Sequence, residues 1–124
     1  MAQKILIIDD DLFIREIYTN VLKKAGYEVD LAENGEEGYS KLHSGGYSLC
    51  LLDMRMPDLS GLEVIERIQK NPPILPNGPL VLLTNMGFDQ DAKEGMEKGA
   101  NSYLVKADLT PDQLVENIKK LLLE

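Results

Sequence analysis

The chain has 124 residues, the size of one domain with its own hydrophobic core. Apolar residues make up 44% of it and charged residues 27%, as in globular proteins. Its 13 basic and 21 acidic residues give a net charge of −8, which disfavours non-specific binding to nucleic acid or to an anionic membrane. The single cysteine excludes an internal disulfide, and the single histidine excludes a multi-histidine metal site. The sequence has no signal peptide and no run of ~20 apolar residues, so we expect a cytoplasmic protein.

The first elements alternate between apolar strands and amphipathic helices. Residues 5–8 form an apolar run that predicts a strand, and three consecutive acids follow it. Apolar residues recur with helical spacing from 14 to 25, which predicts the first helix. Residues 27–32 alternate polar and apolar side chains, which predicts an edge strand with Glu28 and Asp30 on its solvent face.

The rest of the chain continues this alternation. Further strands are predicted over residues 49–52, 80–83 and 102–105, and further helices over residues 36–43, 62–68, 89–98 and 111–122. Four prolines and one glycine between residues 71 and 79 predict a restrained loop. Thr110 and Pro111 have the side chains that favour the N-cap and the first position of the last helix.

Five strand–helix pairs predict an α/β fold, a (βα)5 doubly wound parallel sheet with helices on both faces. The strands at 5–8, 49–52 and 80–83 are apolar throughout and fit the middle of the sheet. Those at 27–32 and 102–105 carry polar residues and fit the edges. Right-handed crossovers then favour the flavodoxin-like strand order 2-1-3-4-5, in which ligands bind beyond the carboxyl ends of the strands.

Reactive side chains lie at the carboxyl ends of four predicted strands. Asp9 and Asp10 follow the first strand, Asp53 follows the third, Thr84 follows the fourth and Lys106 follows the fifth. Because these ends meet at one edge of a parallel sheet, we expect the five side chains to share a crevice. Clustered carboxylates repel one another, and Mg²⁺ with its preference for oxygen ligands relieves that repulsion. The set is typical of phosphoryl transfer, with the central Asp53 as the nucleophile.

At these residues the sequence resembles a known family. The segments IIDDD, LLDMRMPDLSG, LLT and YLVK, in that order, are similar to the receiver domain of two-component response regulators, and the resemblance covers essentially the whole chain. It implies that Asp53 is the phosphoacceptor. It also implies a Mg²⁺ site in which Asp10 binds the metal directly, Asp9 binds it through water, and the backbone carbonyl of Arg55 is a further ligand beside Asp53.

The same resemblance assigns roles to three residues of the last strands. Thr84 and Lys106 would contact the phosphoryl oxygens, and Thr84 with Tyr103 would form the conformational switch. The aspartyl-phosphate is predicted to be long-lived, because Arg55 can pair with the phosphoryl group and Met86 cannot orient an attacking water.

Two positions depart from the family pattern. Asn85 stands where a small residue is usual, and it could narrow access to the phosphoryl group or hydrogen-bond to it. Ala107 replaces the proline that usually follows the lysine. Since a cis peptide bond before a non-proline residue costs ~2.5–4 kcal/mol, we predict a trans Lys106–Ala107 bond, with Lys106 still reaching the phosphoryl group.

The resemblance implies a phosphoacceptor signalling domain rather than a turnover enzyme. It would take a phosphoryl group from a histidine kinase or a phosphotransfer protein, change conformation, act on an unidentified downstream protein, and lose the group by intrinsic autophosphatase activity. We expect a single receiver domain over residues 1–124 without an output domain, with an excised fragment of a larger protein as the alternative. We expect a monomer or weak homodimer that binds neither nucleic acid nor membrane.

Three other functions fit the sequence less well. Asp9 and Asp11 after an apolar strand also resemble the nucleophile motif of haloacid-dehalogenase-like phosphatases, although Phe13 stands where those enzymes usually have Thr or Val and the chain leaves no room for a substrate cap. A flavin-binding protein needs a phosphate-binding first loop, whereas the acids here repel phosphate. A degenerate receiver that acts only as an adaptor is disfavoured by the complete acid, threonine and lysine set.

Overall fold

The computed structural model describes residues 2–85 and 89–123, and the predicted alternation is confirmed with small shifts at the element ends. The strands are Lys4–Ile8 (β1), Glu28–Ala32 (β2), Leu49–Asp53 (β3), Leu80–Thr84 (β4) and Ser102–Val105 (β5). The helices are Leu12–Lys24 (α1), Gly35–Ser44 (α2), Gly61–Lys70 (α3), Gln90–Glu97 (α4) and Pro111–Leu123 (α5), with a 3-10 turn at Lys106–Asp108. None of the helices in this part of the chain is long and apolar enough to cross a membrane.

The five strands form one parallel sheet in the order β2-β1-β3-β4-β5, as predicted. The central strands β1, β3 and β4 are buried over nearly their whole length, because their side chains are apolar on both faces. The edge strands β2 and β5 are mostly half-buried. On β2, Glu28 is exposed as predicted, whereas Asp30 is half-buried and hydrogen-bonded to Lys41 and Tyr47.

Alternate side chains of the central strands pack on opposite faces of the sheet. One face carries Ile5, Ile7, Leu49, Leu51, Val81 and Leu83, which pack with Tyr18 and Leu22 of α1 and with Leu114 and Ile118 of α5. The other carries Leu6, Ile8, Cys50, Leu52 and Leu82, which pack with α2, α3 and α4. The result is a three-layer domain in which the charged residues at the strand ends are left at one edge of the sheet.

Side-chain caps fix where the helices begin at that edge. Asp11 accepts hydrogen bonds from the backbone N–H groups of Phe13 and Ile14, so α1 starts immediately after the acids. Ser60 and Glu63 form a reciprocal capping box at the start of α3. These caps limit the loops after β1 and β3 to short connections, which holds their polar side chains close to the sheet.

Candidate functional site: an acidic cleft at the carboxyl edge of the sheet

The structure brings the five residues predicted for the crevice to the same edge of the sheet. Asp9 follows β1, Asp53 is the last residue of β3, Thr84 is the last residue of β4, and Lys106 follows β5. Asp9, Asp53 and Thr84 are buried, Lys106 is half-buried, and Asp10 is exposed. The site therefore has a buried acidic floor with one carboxylate at its solvent side.

Asp9, Asp10 and Asp53 form a cluster that can hold a metal ion. One carboxylate oxygen from each lies within 4.8 Å of the corresponding oxygens of the other two. The carboxylate of Asp9 is held in place by the backbone, because its Oδ1 accepts a hydrogen bond from the N–H of Asp11 at 2.9 Å. A set of carboxylate oxygens that is open to water on one side fits the ligand preference of Mg²⁺.

Lys106 places its ammonium group between two of these carboxylates. Its Nζ lies 2.7 Å from Asp9 Oδ2 and 3.3 Å from Asp53 Oδ1. Burial lowers the pKa of Lys106, but the carboxylates of Asp9 and Asp53 outweigh this effect and hold the pKa above its ordinary value. The Lys106–Ala107 peptide bond is trans, which confirms the prediction, and the lysine still reaches the acidic cluster from the 3-10 turn.

Lys106 alone does not balance the negative charge around Asp53. Burial raises the pKa of Asp53 to about 7, and the neighbouring Asp9 carboxylate adds to the rise, while Lys106 and the backbone N–H of Arg55 oppose it. One ammonium is thus shared by two buried carboxylates and does not neutralise both. A further positive charge would stabilise the ionised, nucleophilic form of Asp53.

Two clefts lead from Asp53 to the surface. One has a volume of about 720 Å³, and its lining includes Asp10, Asp53 and Lys106 together with Asn85. The other has a volume of about 300 Å³ and reaches Thr84 and the start of α4. Asn85 is exposed and lines both clefts, so its side chain lies where the sequence analysis expected it to affect access.

Two residues that the sequence analysis missed support the loops of the site. Arg15 donates a hydrogen bond to the backbone carbonyl of Asp9 at 2.8 Å. Asp58 accepts hydrogen bonds from the backbone N–H groups of Gly35 and Glu36, both at 2.8 Å, and so ties the loop after β3 to the start of α2. These N–H groups outweigh the slight burial of Asp58 and hold the pKa of its carboxyl below the ordinary value. No local pattern could have shown this contact, because the partners are more than 20 residues apart.

Arg55 has a partner that the sequence did not predict. Its guanidinium Nη2 lies 3.2 Å from Oδ2 of Asp91, in the first turn of α4. Tyr103 lies in β5 opposite Leu82 of β4 and is half-buried against the layer formed by α2, α3 and α4. Its switch role stays a prediction, and Met86 lies outside the described residues.

Residues 5–119 match the family model of the response regulator receiver domain. The chain belongs to the response regulator receiver family. It is 35% identical over 119 residues to the transcriptional regulatory protein ResD of Bacillus subtilis, which covers 96% of this chain and 48% of ResD. The chain spans less than half the length of the first curated relatives it matches.

Solved receiver structures have the same architecture. The CheY-like receiver domain protein of Methanospirillum hungatei is 30% identical, with a TM-score of 0.86 over 98% of this chain and 94% of that one. The response regulator TrrA of Thermotoga maritima is 39% identical, with a TM-score of 0.76 over 96% of this chain and 98% of TrrA. The TrrA structure is a complex with Mg²⁺ and BeF.

Proposed function

We propose that Asp53 accepts a phosphoryl group from a histidine kinase or a phosphotransfer protein in a Mg²⁺-dependent reaction. The observation that carries this proposal is the surplus of negative charge at one point. Three carboxylates lie within 4.8 Å of one another, and Lys106 supplies one ammonium between two of them. A site of this kind is suited to a divalent cation and to a phosphoryl group whose oxygens the cation and the ammonium neutralise.

The reaction forms one bond and breaks one. A carboxylate oxygen of Asp53 attacks phosphorus, and the new O–P bond forms as the N–P bond to the donor histidine breaks. The electron pair of that bond leaves with the imidazole, so the group transferred is the phosphoryl group alone. We propose that the ammonium of Lys106, 3.3 Å from Asp53, contacts one of the incoming oxygens and that the Thr84 hydroxyl at the end of β4 contacts another.

Asp9, Asp10, Asp53 and the backbone carbonyl of Arg55 are the residues that would hold Mg²⁺. When bound, the ion supplies positive charge that offsets the charge of the phosphoryl oxygens. Asp9 is fixed by Lys106 and by the backbone of Asp11, whereas Asp10 is exposed and open to the solvent side of the cluster. This difference supports the assignment of Asp10 as a direct ligand and of Asp9 as one that acts through water.

An apolar patch next to the acids is suited to contact with the phosphoryl donor. Leu12, Phe13 and Ile17 of α1 have exposed fractions of 56%, 74% and 44%. The patch begins two residues after Asp10, so a protein bound there would place its phosphohistidine beside the cleft. Phe13→Ser should slow transfer from a protein donor and leave phosphorylation by acetyl phosphate unchanged.

The proposal is tested by incubating the protein with Mg²⁺ and acetyl phosphate and mapping the modified residue by mass spectrometry. We expect one phosphoryl group on Asp53, no label on Asp53→Asn, and full label on the control Asp30→Asn, which removes a half-buried carboxylate that is also paired with a lysine. Full labelling of Asp53→Asn would overturn the assignment. Label on Asp9, or steady release of phosphate that persists in Asp53→Asn, would favour the haloacid-dehalogenase-like alternative.

Signalling would follow from a change of conformation through Thr84 and Tyr103. We further propose that water slowly removes the phosphoryl group from Asp53, so that the signal ends without a second protein. A downstream protein would read the phosphorylated surface, with the receiver itself a monomer or weak homodimer.

A further inference from the structure

The ion pair between Arg55 and Asp91 joins the acceptor loop to α4. Arg55 lies two residues after Asp53, and its backbone N–H donates to Asp53 Oδ1 at 3.3 Å. Its guanidinium reaches in the other direction and lies 3.2 Å from Asp91, the second residue of α4. Arg55 therefore contacts the residue that would be phosphorylated through its backbone and a helix in a different part of the fold through its side chain.

The ion pair lies in the wall of the cleft that leads to the acceptor. Asp53, Arg55 and Asp91 all line the cleft of about 300 Å³, and so does Thr84. The Arg55 side chain is 71% exposed and the Asp91 side chain 37%. An exposed ion pair of this kind adds little to stability, so a stronger anion nearby can displace Asp91 at small cost.

We propose that Arg55 leaves Asp91 for the phosphoryl group of phosphorylated Asp53 and thereby releases the first turn of α4. This inference rests on the proposed function. The phosphoryl oxygens offer the planar guanidinium a bidentate contact with a more highly charged anion, whereas Asp91 Oδ2 accepts a single hydrogen bond. Lys106 is already held between two carboxylates, and Arg15 is bonded to the backbone of Asp9, so Arg55 is the arginine at the cleft that is available for the exchange.

The exchange has a consequence that can be measured without a kinase. If Asp91 and the phosphoryl group compete for Arg55, removing the charge of Asp91 strengthens binding of a phosphoryl analogue. We expect Asp91→Asn to bind beryllofluoride in the presence of Mg²⁺ about 1.5- to 5-fold more tightly than the unmodified protein, the range set by a typical exposed ion pair. Arg55→Met should bind it more weakly, and the double variant should bind it like Arg55→Met.

The matched control is Asp112→Asn. Asp112 is likewise the second residue of its helix, α5, and has no ion-pair partner among residues 2–85 and 89–123. It controls for the loss of an acid from a first helical turn, and we expect no change in beryllofluoride affinity. The variant that combines Asp91→Asn with Arg55→Met controls for a general charge effect. Removing an acid near the site strengthens anion binding by that effect whether or not Arg55 is present.

Hydrogen exchange reports the helix directly. In the unmodified protein, beryllofluoride and Mg²⁺ should speed exchange of the Ala92 and Lys93 amides, which bond to the cap residue Asp89. In Arg55→Met the ligand should cause no such increase. An unchanged affinity of Asp91→Asn, or a gain that persists in the Arg55→Met background, would overturn the inference. Failure of the unmodified protein to bind beryllofluoride with Mg²⁺ would instead overturn the proposed function.

Discussion

Two groups of carboxylates and lysines in this protein shift the pKa of an aspartate in opposite directions. At the carboxyl edge of the sheet, Asp9 and Asp53 share the ammonium of Lys106, and burial together with Asp9 raises the pKa of Asp53 to about 7. On the edge strand β2, the carboxylate of Asp30 lies 3.0 Å from Lys41 Nζ. There the donors outweigh the burial and hold the pKa of Asp30 below its ordinary value.

The second group is complete without a ligand. The Tyr47 hydroxyl donates to Asp30 Oδ2 at 2.6 Å, while Lys41 donates to Oδ1 and to the backbone carbonyl of Leu31. Lys41 also lies 3.5 Å from Glu37 of the same helix. Each oxygen of the Asp30 carboxylate therefore has a donor, and the group joins β2, α2 and the loop before β3.

The groups differ in the burial of their carboxylates. Lys41 also lies near two of them, but Asp30 and Glu37 are half-buried. Asp9 and Asp53, by contrast, are buried. Where donors match acceptors, a carboxylate and a lysine stabilise the fold. Where buried carboxylates outnumber cations, the folded state keeps unbalanced charge that a cation or a phosphotransfer reaction can use. The structure assigns the first arrangement to Asp30 and the second to Asp53.

The largest expected effect comes from removing the lysine of each group. Lys106→Met leaves Asp9 and Asp53 without their ammonium, and breaking a buried ion pair in this way costs about 3–5 kcal/mol. Lys41→Met should cost about 1 kcal/mol, because Asp30 keeps the Tyr47 hydrogen bond. Urea unfolding of both variants without metal measures the difference. Equal losses would show that the two groups are electrostatically alike.

Mg²⁺ should raise the free energy of unfolding through the acidic cluster and not through the Asp30 group. The gain should be smaller than the loss expected for Lys106→Met. A ligand that binds only the folded state at about ten times its Kd raises the free energy of unfolding by about 1.4 kcal/mol. We expect this gain in the unmodified protein and in Lys41→Met, and its loss in Asp10→Ala, which removes the exposed carboxylate of the cluster. Thermal unfolding with and without millimolar Mg²⁺ is the measurement. An undiminished gain in Asp10→Ala would exclude Asp10 as a ligand.

The smallest effect is the pH dependence of the Asp30 group. Because the pKa of Asp30 is lowered in the folded state, its ionised form stabilises the protein above the ordinary value of 3.8, and this contribution is lost as the pH falls through the lowered pKa. Asp30→Asn should therefore be less stable than the unmodified protein at neutral pH, and the gap should narrow in acid. Chemical unfolding at about pH 7 and about pH 3 checks this. A gap that widens in acid would contradict the lowered pKa.

Much of the site follows from local patterns in the sequence. The apolar runs before Asp53 and Thr84 predict strands that end at those residues, and a parallel sheet brings such ends to one edge. The same reasoning predicted the placement of Asp9 and Lys106. The cost of a cis bond before a non-proline residue predicted the trans Lys106–Ala107 bond. The strand order could also be predicted from the sequence, because uniformly apolar strands must be central and strands with polar residues can lie at the edges.

Tertiary structure alone decided how each charge is compensated. Asp30 was expected on a solvent face, but it is half-buried and accepts a hydrogen bond from the hydroxyl of Tyr47, 17 residues further along the chain. Arg55 contacts Asp91, 36 residues further along the chain, and no periodicity relates the two. Sequence patterns report which face or strand end a side chain occupies. The hydrogen-bond partners of a buried charge depend on long-range packing, which sets the distances, the burial and therefore the pKa.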